Sequence, residues 1–279
     1  VKEASIGAQP YLIEGISGVK ELVADQFFDT LLSETADIIG ATAVWPQDAA
    51  GRPCAKSGNE CLTGKGVKVA VIDTGVDYTH PDFADEIGIC TPERFANRDC
   101  QKIVDGYDFG NNDADPMDVN AHGTHVAGII AANGVVKGIA PDAQIYAFKV
   151  STEIIGVITI DQLAGLSFEF FSNVLRALEK ASDLNSDGNP DDHVDVVNLS
   201  LGLMSSPDDF VAETMANAMD MGIVIVAALG NSGYSGTFTT GSPGNEENII
   251  GVGASCKPSQ IGTLTDRFGN QGCDQGIFE

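Results

Sequence analysis

The stretch Val69-Ala70-Val71-Ile72-Asp73-Thr74-Gly75 decides the architecture of this chain, because an apolar run ends in an acid and a glycine turn. A nearly continuous apolar run is typical of a strand that is buried on both faces of a parallel sheet. A buried carboxylate is costly unless it has polar partners. We therefore expect Asp73 either to cap a turn or to meet another functional group where the strand ends.

Similar apolar runs bounded by turn residues recur along the chain and alternate with helical patterns. The predicted strands are 67–72, 144–150, 194–199, 223–228 and 248–252, and the predicted helices are 122–132, 168–181 and 207–222. This alternation predicts an α/β fold of three layers, with a central, mostly parallel sheet covered by helices on both faces. In such sheets the functional residues gather at the carboxyl ends of the strands.

Two further segments place polar side chains beside predicted elements. His122-Gly-Thr-His125-Val-Ala-Gly128 begins a helix, and the strand 223–228 leads into Leu-Gly-Asn231. Taken alone, a histidine at a helix start or an asparagine in a turn is more often structural than catalytic. Zinc sites on helices prefer an i, i+4 histidine pair with an intervening glutamate, which is absent here. His125 is therefore expected to be a packed or hydrogen-bonded core residue.

Together these segments resemble the subtilase family of serine proteases, in which acid, base and nucleophile follow one another as Asp, His and Ser. Asp73 matches the acid within V-I-D-T-G-V-D-Y-T-H-P-D-F (71–83), and His122 matches the base within H-G-T-H-V-A-G. Asn231 matches the side chain that completes the oxyanion hole of the family. The segment V-N-L-S-L-G (197–202) matches the strand that pairs with the substrate backbone.

The resemblance implies a subtilisin-like fold and a serine endopeptidase that acts on peptide or protein substrates. His122 is expected to be the general base, Asp73 to orient it, and Asn231 to stabilise the oxyanion. The residues expected to bind substrate are Ser200, Leu201, Gly202 and Ala228. Because the predicted pocket wall at 227–229 carries no charge, apolar or broad specificity is expected.

The sequence departs from the family pattern at the nucleophile. The family has a G-T-S-x-A segment downstream of the oxyanion asparagine, whereas Gly262-Thr263 is followed by Leu264 and Ser242 lies in T-G-S-P-G. Every other site element is intact, so truncation is a better explanation than degeneration, and the chain as it stands is expected to be inactive. Residues 1–35 are expected to be the tail of an inhibitory prodomain and a connector, and residues 36–279 an incomplete catalytic domain.

Composition narrows the remaining choices. The chain has 15 Lys and Arg against 40 Asp and Glu, which disfavours a nucleic-acid partner. No apolar run approaches the roughly 18 to 20 residues of a membrane helix, so no membrane span is expected. The six cysteines predict three nearest-neighbour disulfides and a secreted, extracellular protein, with buried thiols in a cytosolic enzyme as the alternative. The nearest-neighbour pairs are Cys54 with Cys61, Cys90 with Cys100, and Cys256 with Cys273.

An acidic segment at 183–192 places oxygen-bearing side chains at alternate positions, with Gly188 sixth. This is how a calcium-binding EF-hand loop begins, although Val194 stands where that loop requires its final glutamate. The sequence therefore predicts a structural calcium ion, with a solvated acidic turn as the alternative. The candidate ligands are Asp183, Asn185, Asp187 and Asp191.

Two other functions remain open at this point. One is a peptide-binding pseudoprotease that lacks the serine, although intact Asp73, His122 and Asn231 count against it. The other is a calcium-dependent surface or adhesion module, which leaves the H-G-T-H segment unexplained.

Overall fold

The computed structural model describes residues 31–151, 160–202, 209–231 and 239–254. The chain divides into two units, Val1–Leu31 and Leu32–Glu279. The first unit and the predicted pair Cys256 and Cys273 lie almost wholly outside the described residues. No helix in the described ranges has the length and apolarity needed to cross a membrane.

The core of the fold is one parallel sheet of six strands in the order β2-β3-β1-β4-β5-β6. This confirms the predicted α/β fold with a central parallel sheet. The strands are β1 (Lys68–Asp73), β2 (Ile103–Asp108), β3 (Gln144–Lys149), β4 (Val196–Leu199), β5 (Val224–Ala228) and β6 (Ile250–Val252).

β1 lies at the centre of the sheet and sends alternate side chains to opposite faces. Because these side chains are apolar on both faces, helices cover the sheet on both sides. Val69 and Val71 belong to the apolar cluster that includes residues of α5, whereas Ala70 and Ile72 belong to the cluster formed with α6 and α7. Asp73 continues the first series and therefore faces the layer of α5. The helices are α1 (Leu31–Ile38), α2 (Ala41–Val44), α3 (Cys54–Ser57), α4 (Pro92–Ala96), α5 (His122–Ala131), α6 (Ile160–Ser182) and α7 (Asp209–Asp220).

Two disulfides staple short surface segments of this domain. Cys54 is bonded to Cys61, and Cys90 is bonded to Cys100, as nearest-neighbour pairing predicts. The first bond closes a loop that contains α3, and the second closes a loop that contains α4. Such bonds stabilise chiefly by restricting the unfolded chain.

Candidate active site

Asp73 and His122 meet at the carboxyl edge of the sheet. Asp73 is the last residue of β1, and His122 is the first residue of α5. Nδ1 of His122 lies 2.7 Å from Oδ1 of Asp73. The carboxylate side chain is 2% exposed, whereas the imidazole is 51% exposed. One partner is therefore held in the protein interior while the other reaches solvent.

The contact fixes the chemical form of the imidazole. Oδ1 of Asp73 also accepts a hydrogen bond of 2.7 Å from the backbone N–H of Thr74. An ionised carboxylate can only accept hydrogen bonds, so Nδ1 of His122 must carry the proton. In the neutral ring, Nε2 is then left unprotonated and able to take a proton from another group. This is the arrangement that a general base requires.

Gly123 allows the close approach of α5 to the turn that follows β1. A Cβ atom at this position would lie 2.1 Å from the carbonyl oxygen of Gly75 and 3.1 Å from Oδ1 of Asp73. Helix and turn therefore pack backbone against backbone beside the Asp73–His122 contact. No side chain larger than hydrogen fits between them without moving one of the two segments.

Asp118 ties the same two segments together, and sequence reasoning missed it. Its Oδ1 atom accepts from the hydroxyl of Thr74 at 3.0 Å and from the N–H groups of Asn120 and Ala121. Its Oδ2 atom accepts from the N–H of Thr124 at 2.9 Å and from the Thr124 hydroxyl at 2.6 Å. We call this set of contacts the Asp118 bridge. The available signal was an aspartate four residues before a helix start.

The Asp118 bridge also determines the charge state of its central residue. Burial by itself raises the pKa of Asp118, but the hydrogen bonds from Thr124, Asn120 and Thr74 outweigh burial and lower the pKa below its ordinary value. The carboxylate is therefore ionised at neutral pH. A negative charge before the first turn of α5 also suits the positive end of the helix dipole.

A buried ion pair anchors the segment that leads to Asp118. Nζ of Lys149 lies 3.1 Å from Oδ2 of Asp108, and both side chains are almost fully buried. The same ammonium donates to the carbonyl oxygen of Met117, the residue before Asp118. Lys149 is paired in register with Asp73 across β3 and β1. The ion pair thus joins the ends of β2 and β3, beside the end of β1, to the residue that precedes Asp118.

The other predicted site residues follow the ends of neighbouring strands. Ser200, Leu201 and Gly202 come directly after β4, and Ala228 is the last residue of β5. Asn231 lies three residues beyond β5 and is exposed. Because β1, β4 and β5 are adjacent and parallel, these residues share a sheet edge with Asp73.

A turn at 241–244 packs under the predicted substrate-binding residues. A Cβ atom on Gly202 would lie 2.8 Å from the carbonyl oxygen of Ser242, and one on Gly244 would lie 2.2 Å from the carbonyl oxygen of Ala228. Ser242 itself is 1% exposed, and its hydroxyl donates to Oε1 of Glu246 at 3.0 Å. This hydroxyl is therefore committed inside the fold and is not an accessible nucleophile.

The prediction for His125 is wrong, because the residue is exposed rather than packed in the core. The side chains that α5 buries are at Val126, Ala127 and Ala131, together with Gly123, which places His122 and His125 away from the packed face. Asp82 has a structural role. Its carboxylate accepts from the N–H groups of residues 135 and 136.

The acidic segment 183–192 forms a tight loop after α6. The carboxylate of Asp183 accepts from the N–H groups of Asp187 and Gly188, and Oδ1 of Asn185 accepts from the N–H of Asp187. The side chain of Asp191 accepts from the amide of Asn189. Within the described ranges, no three His, Cys, Asp or Glu side chains converge as metal ligands. The donor atoms are the hard oxygens that calcium prefers, but they face N–H groups of their own loop.

Comparison with known proteins finds the family that the sequence motifs resemble. A model of the subtilase family matches residues 64–272. The minor extracellular protease Vpr of Bacillus subtilis (strain 168) is 35% identical over 237 residues, which are 81% of this chain and 23% of Vpr. The thermophilic serine proteinase of Bacillus sp. (strain AK1) is 39% identical over 197 residues, which are 68% of this chain and 38% of that protein. The chain thus spans less than half the length of these curated relatives.

Solved structures share the fold. Sphericase superimposes with a TM-score of 0.52 at 26% identity, over 81% of this chain and 61% of sphericase. MycP1 from Mycobacterium smegmatis gives a TM-score of 0.52 at 21% identity, over 83% of this chain and 58% of that chain, which bears on the fold alone.

Proposed function

The chain belongs to the subtilase family, and from that membership we propose that the full-length protein is a serine endopeptidase that hydrolyses peptide bonds. The observation that carries the proposal is the 2.7 Å contact between His122 and the buried Asp73 at the carboxyl edge of the sheet. Two relatives that are described as proteases, Vpr and the thermophilic serine proteinase, are 35% and 39% identical to it.

The chemistry assigned to His122 is general base and then general acid. A serine hydroxyl is a poor nucleophile until a neighbouring imidazole accepts its proton. Nε2 of His122 takes that proton and later delivers it to the leaving amine. Asp73 holds the tautomer with its proton on Nδ1 and stabilises the imidazolium that forms. Burial of Asp73 strengthens this effect, because little solvent screens the carboxylate.

The nucleophile is assigned to a segment beyond Glu279. The sequence contains no G-T-S-x-A segment, and Ser242 is enclosed and bonded to Glu246. One face of α5, with His122, His125 and Ile129, is exposed. A downstream segment that covers this face would bring a serine to Nε2 of His122. Residues 1–279 alone are therefore expected not to hydrolyse peptides.

Substrate binding is assigned to the ends of β4 and β5. Ser200, Leu201 and Gly202 offer backbone groups to an extended peptide, which would add to the sheet as a strand. Ala228 forms part of the wall for the side chain before the scissile bond. Asn231, exposed beyond β5, donates a hydrogen bond to the developing oxyanion.

The N-terminal residues and the cellular location complete the proposal. Residues 1–35 are the tail of a prodomain and a connector, and the prodomain inhibits the enzyme until it is removed. The division of the chain at Leu31 and Leu32 supports this reading. Secretion is supported by the two disulfides and by the description of Vpr as extracellular.

Labelling with a fluorophosphonate tests the proposed function. The reagent reacts with a serine that a neighbouring base activates, so the full-length protein is expected to be labelled on one serine downstream of Glu279. The His122→Ala variant is expected to remain unlabelled, and it serves as the matched control. A folded full-length protein that resists labelling would instead be a peptide-binding pseudoprotease.

A structural calcium ion is the second part of the proposal. Asp183, Asn185, Asp187 and Asp191 would hold it through oxygen atoms once Asn185 and the carboxylates turn from their N–H partners. The ion would crosslink the loop between α6 and β4. Its support is the alternation of oxygen-bearing side chains and the tight turn at Gly188, where φ is 83°.

Chelation tests the calcium ion. If calcium is present at about one hundred times its Kd, its removal is expected to cost about 2.7 kcal/mol and to lower Tm by roughly 5 to 10 °C. The measurement is calorimetry with and without EDTA, followed by re-addition of calcium. The Asp187→Ala variant is expected to melt at the lower temperature in both conditions. An unchanged Tm in EDTA would show that the loop is a solvated acidic turn.

A further inference from the structure

Asp118 lies between the two segments that carry the Asp73–His122 contact. On one side it accepts from Thr74, which follows Asp73 directly. On the other side it accepts from Ala121, which precedes His122, and from Thr124 in the first turn of α5. Several hydrogen bonds from both segments thus end on a single half-buried carboxylate.

Each of the two threonine hydroxyl groups in the Asp118 bridge forms a hydrogen bond with Asp118 and another with the opposite segment. The Thr74 hydroxyl donates to Asp118 and accepts from the N–H of Gly123 at 2.9 Å. The Thr124 hydroxyl donates to Asp118 and accepts from the N–H of Asp77 at 2.9 Å. An ionised carboxylate cannot donate, so it forces each hydroxyl to point its proton inward and its lone pair at the opposite segment.

The Asp118 bridge also replaces the cap that α5 lacks. The residue before the helix, Ala121, has a φ of 78° and makes no side-chain cap. A left-handed conformation costs an alanine about 1 to 2 kcal/mol, so it persists only where the surroundings hold it. Oδ1 of Asp118 holds it by accepting the Ala121 N–H. The residue under strain is the one that sets the direction in which His122 leaves the backbone.

We propose that Asp118 is a positioning residue, which keeps the imidazole of His122 at hydrogen-bond distance from Asp73 by fastening the start of α5 to the turn after β1. The proposal rests on the proposed peptidase function for its kinetic consequence. The half-exposed imidazole depends on backbone placement for its position, because its contact with Asp73 is the one hydrogen bond that the described residues give it. In the described part of the chain, the hydrogen bonds of Asp118 come from Thr74, Asn120, Ala121 and Thr124, and none involves the imidazole of His122 or the predicted substrate strand.

The test compares variants of the full-length enzyme in steady-state kinetics. Asp118→Ala is expected to lower kcat by about 10- to 100-fold with KM nearly unchanged, because small misplacement of a catalytic group is costly. Asp118→Asn keeps the acceptor for Thr74 and Ala121 but faces the Thr124 N–H with an amide, so its loss is expected to be intermediate. Thr74→Val is expected to lower kcat, and Thr74→Ser to restore it.

Asp115→Ala is the matched control. Asp115 lies in the same loop and accepts from Tyr78 and Met117, but none of its described hydrogen bonds involves Thr74 or residues 121–124. It is expected to lower Tm and leave kcat near the wild-type value. Wild-type kcat in Asp118→Ala, an equal kcat loss in Asp115→Ala, or a change in KM alone would overturn the proposal.

A second readout separates this proposal from the peptidase function. The Nδ1–H proton of His122 is expected to give a low-field NMR signal in the wild type, and Asp118→Ala is expected to lose or broaden it. If the wild type hydrolyses no peptide, the peptidase proposal fails while this signal still tests Asp118. Retention of the wild-type signal in Asp118→Ala would overturn the positioning role, whatever the activity.

Discussion

Replacing His122 by alanine in the full-length protein is expected to lower kcat by about four orders of magnitude or more and to leave the fold intact. This magnitude is the one known for other serine-protease triads, that of subtilisin included. The fold should survive because the side chain is 51% exposed and contributes little to the core. The measurement is kcat on a chromogenic peptide, with a melting curve for each variant.

Asp73→Asn is expected to lower kcat by a similar factor, because the imidazole remains but loses the carboxylate that orients and stabilises it. Oδ1 of Asp73 faces both the N–H of Thr74 and Nδ1 of His122, so an amide oxygen in its place keeps both contacts but loses the charge that stabilises the imidazolium. An amide nitrogen in its place would instead favour the tautomer with its proton on Nε2, which cannot accept a proton from a serine. Substrate binding does not involve this group, so KM is expected to change little.

His125→Ala is the matched control on the same helix. Residue 125 is exposed, three positions from His122 on the same helix. Under the proposed mechanism only His122 transfers protons, so His125→Ala should retain most of the turnover. Equal losses in both histidine variants would contradict the assignment of His122 as the sole base and would reopen a metal-based site.

The strand that sequence analysis missed, β2, is less buried than β1 and β3, which it predicted. β1 and β3 have buried, apolar runs that predict strands directly. β2 reads Ile-Val-Asp-Gly-Tyr-Asp and lies at the edge of the sheet, where most of its residues are only half-buried. Gly106 suggests a turn in sequence. In the structure, a Cβ there would lie 2.3 Å from the carbonyl oxygen of Ala147, so the glycine permits close strand packing.

In the candidate site, some residues could be predicted from the local sequence and others only from the folded structure. Asp73 and His122 could be predicted because each stands at the end of a recognisable element. The Asp118 bridge could not, because its contacts join residue 74 with residues 118–124 only after β1 and α5 have packed. The exposure of His125 was missed for a related reason. A helical pattern of small residues predicts burial without saying which face of α5 meets the sheet.

Gly123→Ala is expected to combine a loss of stability with a loss of activity, because both depend on the backbone contact between α5 and the turn after β1. The added methyl carbon would start 2.1 Å from the carbonyl oxygen of Gly75, so helix or turn must move by about 1 Å. Overpacking of this kind costs about 1 to 3 kcal/mol or more. The same shift separates His122 from Asp73, for which a kcat loss of about 100-fold is expected.

Ala121→Gly, two residues earlier, removes a methyl group where Gly123→Ala adds one. At a φ of 78° glycine carries no steric cost, so this variant is expected to match or exceed the stability of the wild type and to retain activity. Calorimetry measures the stability of the two variants and steady-state kinetics measures their kcat, and together they test the backbone contact between α5 and the turn after β1. Full activity in Gly123→Ala would show that α5 can move away from the turn without separating His122 from Asp73. The tight packing would then serve stability alone, and the placement of the imidazole would depend on the Asp118 bridge.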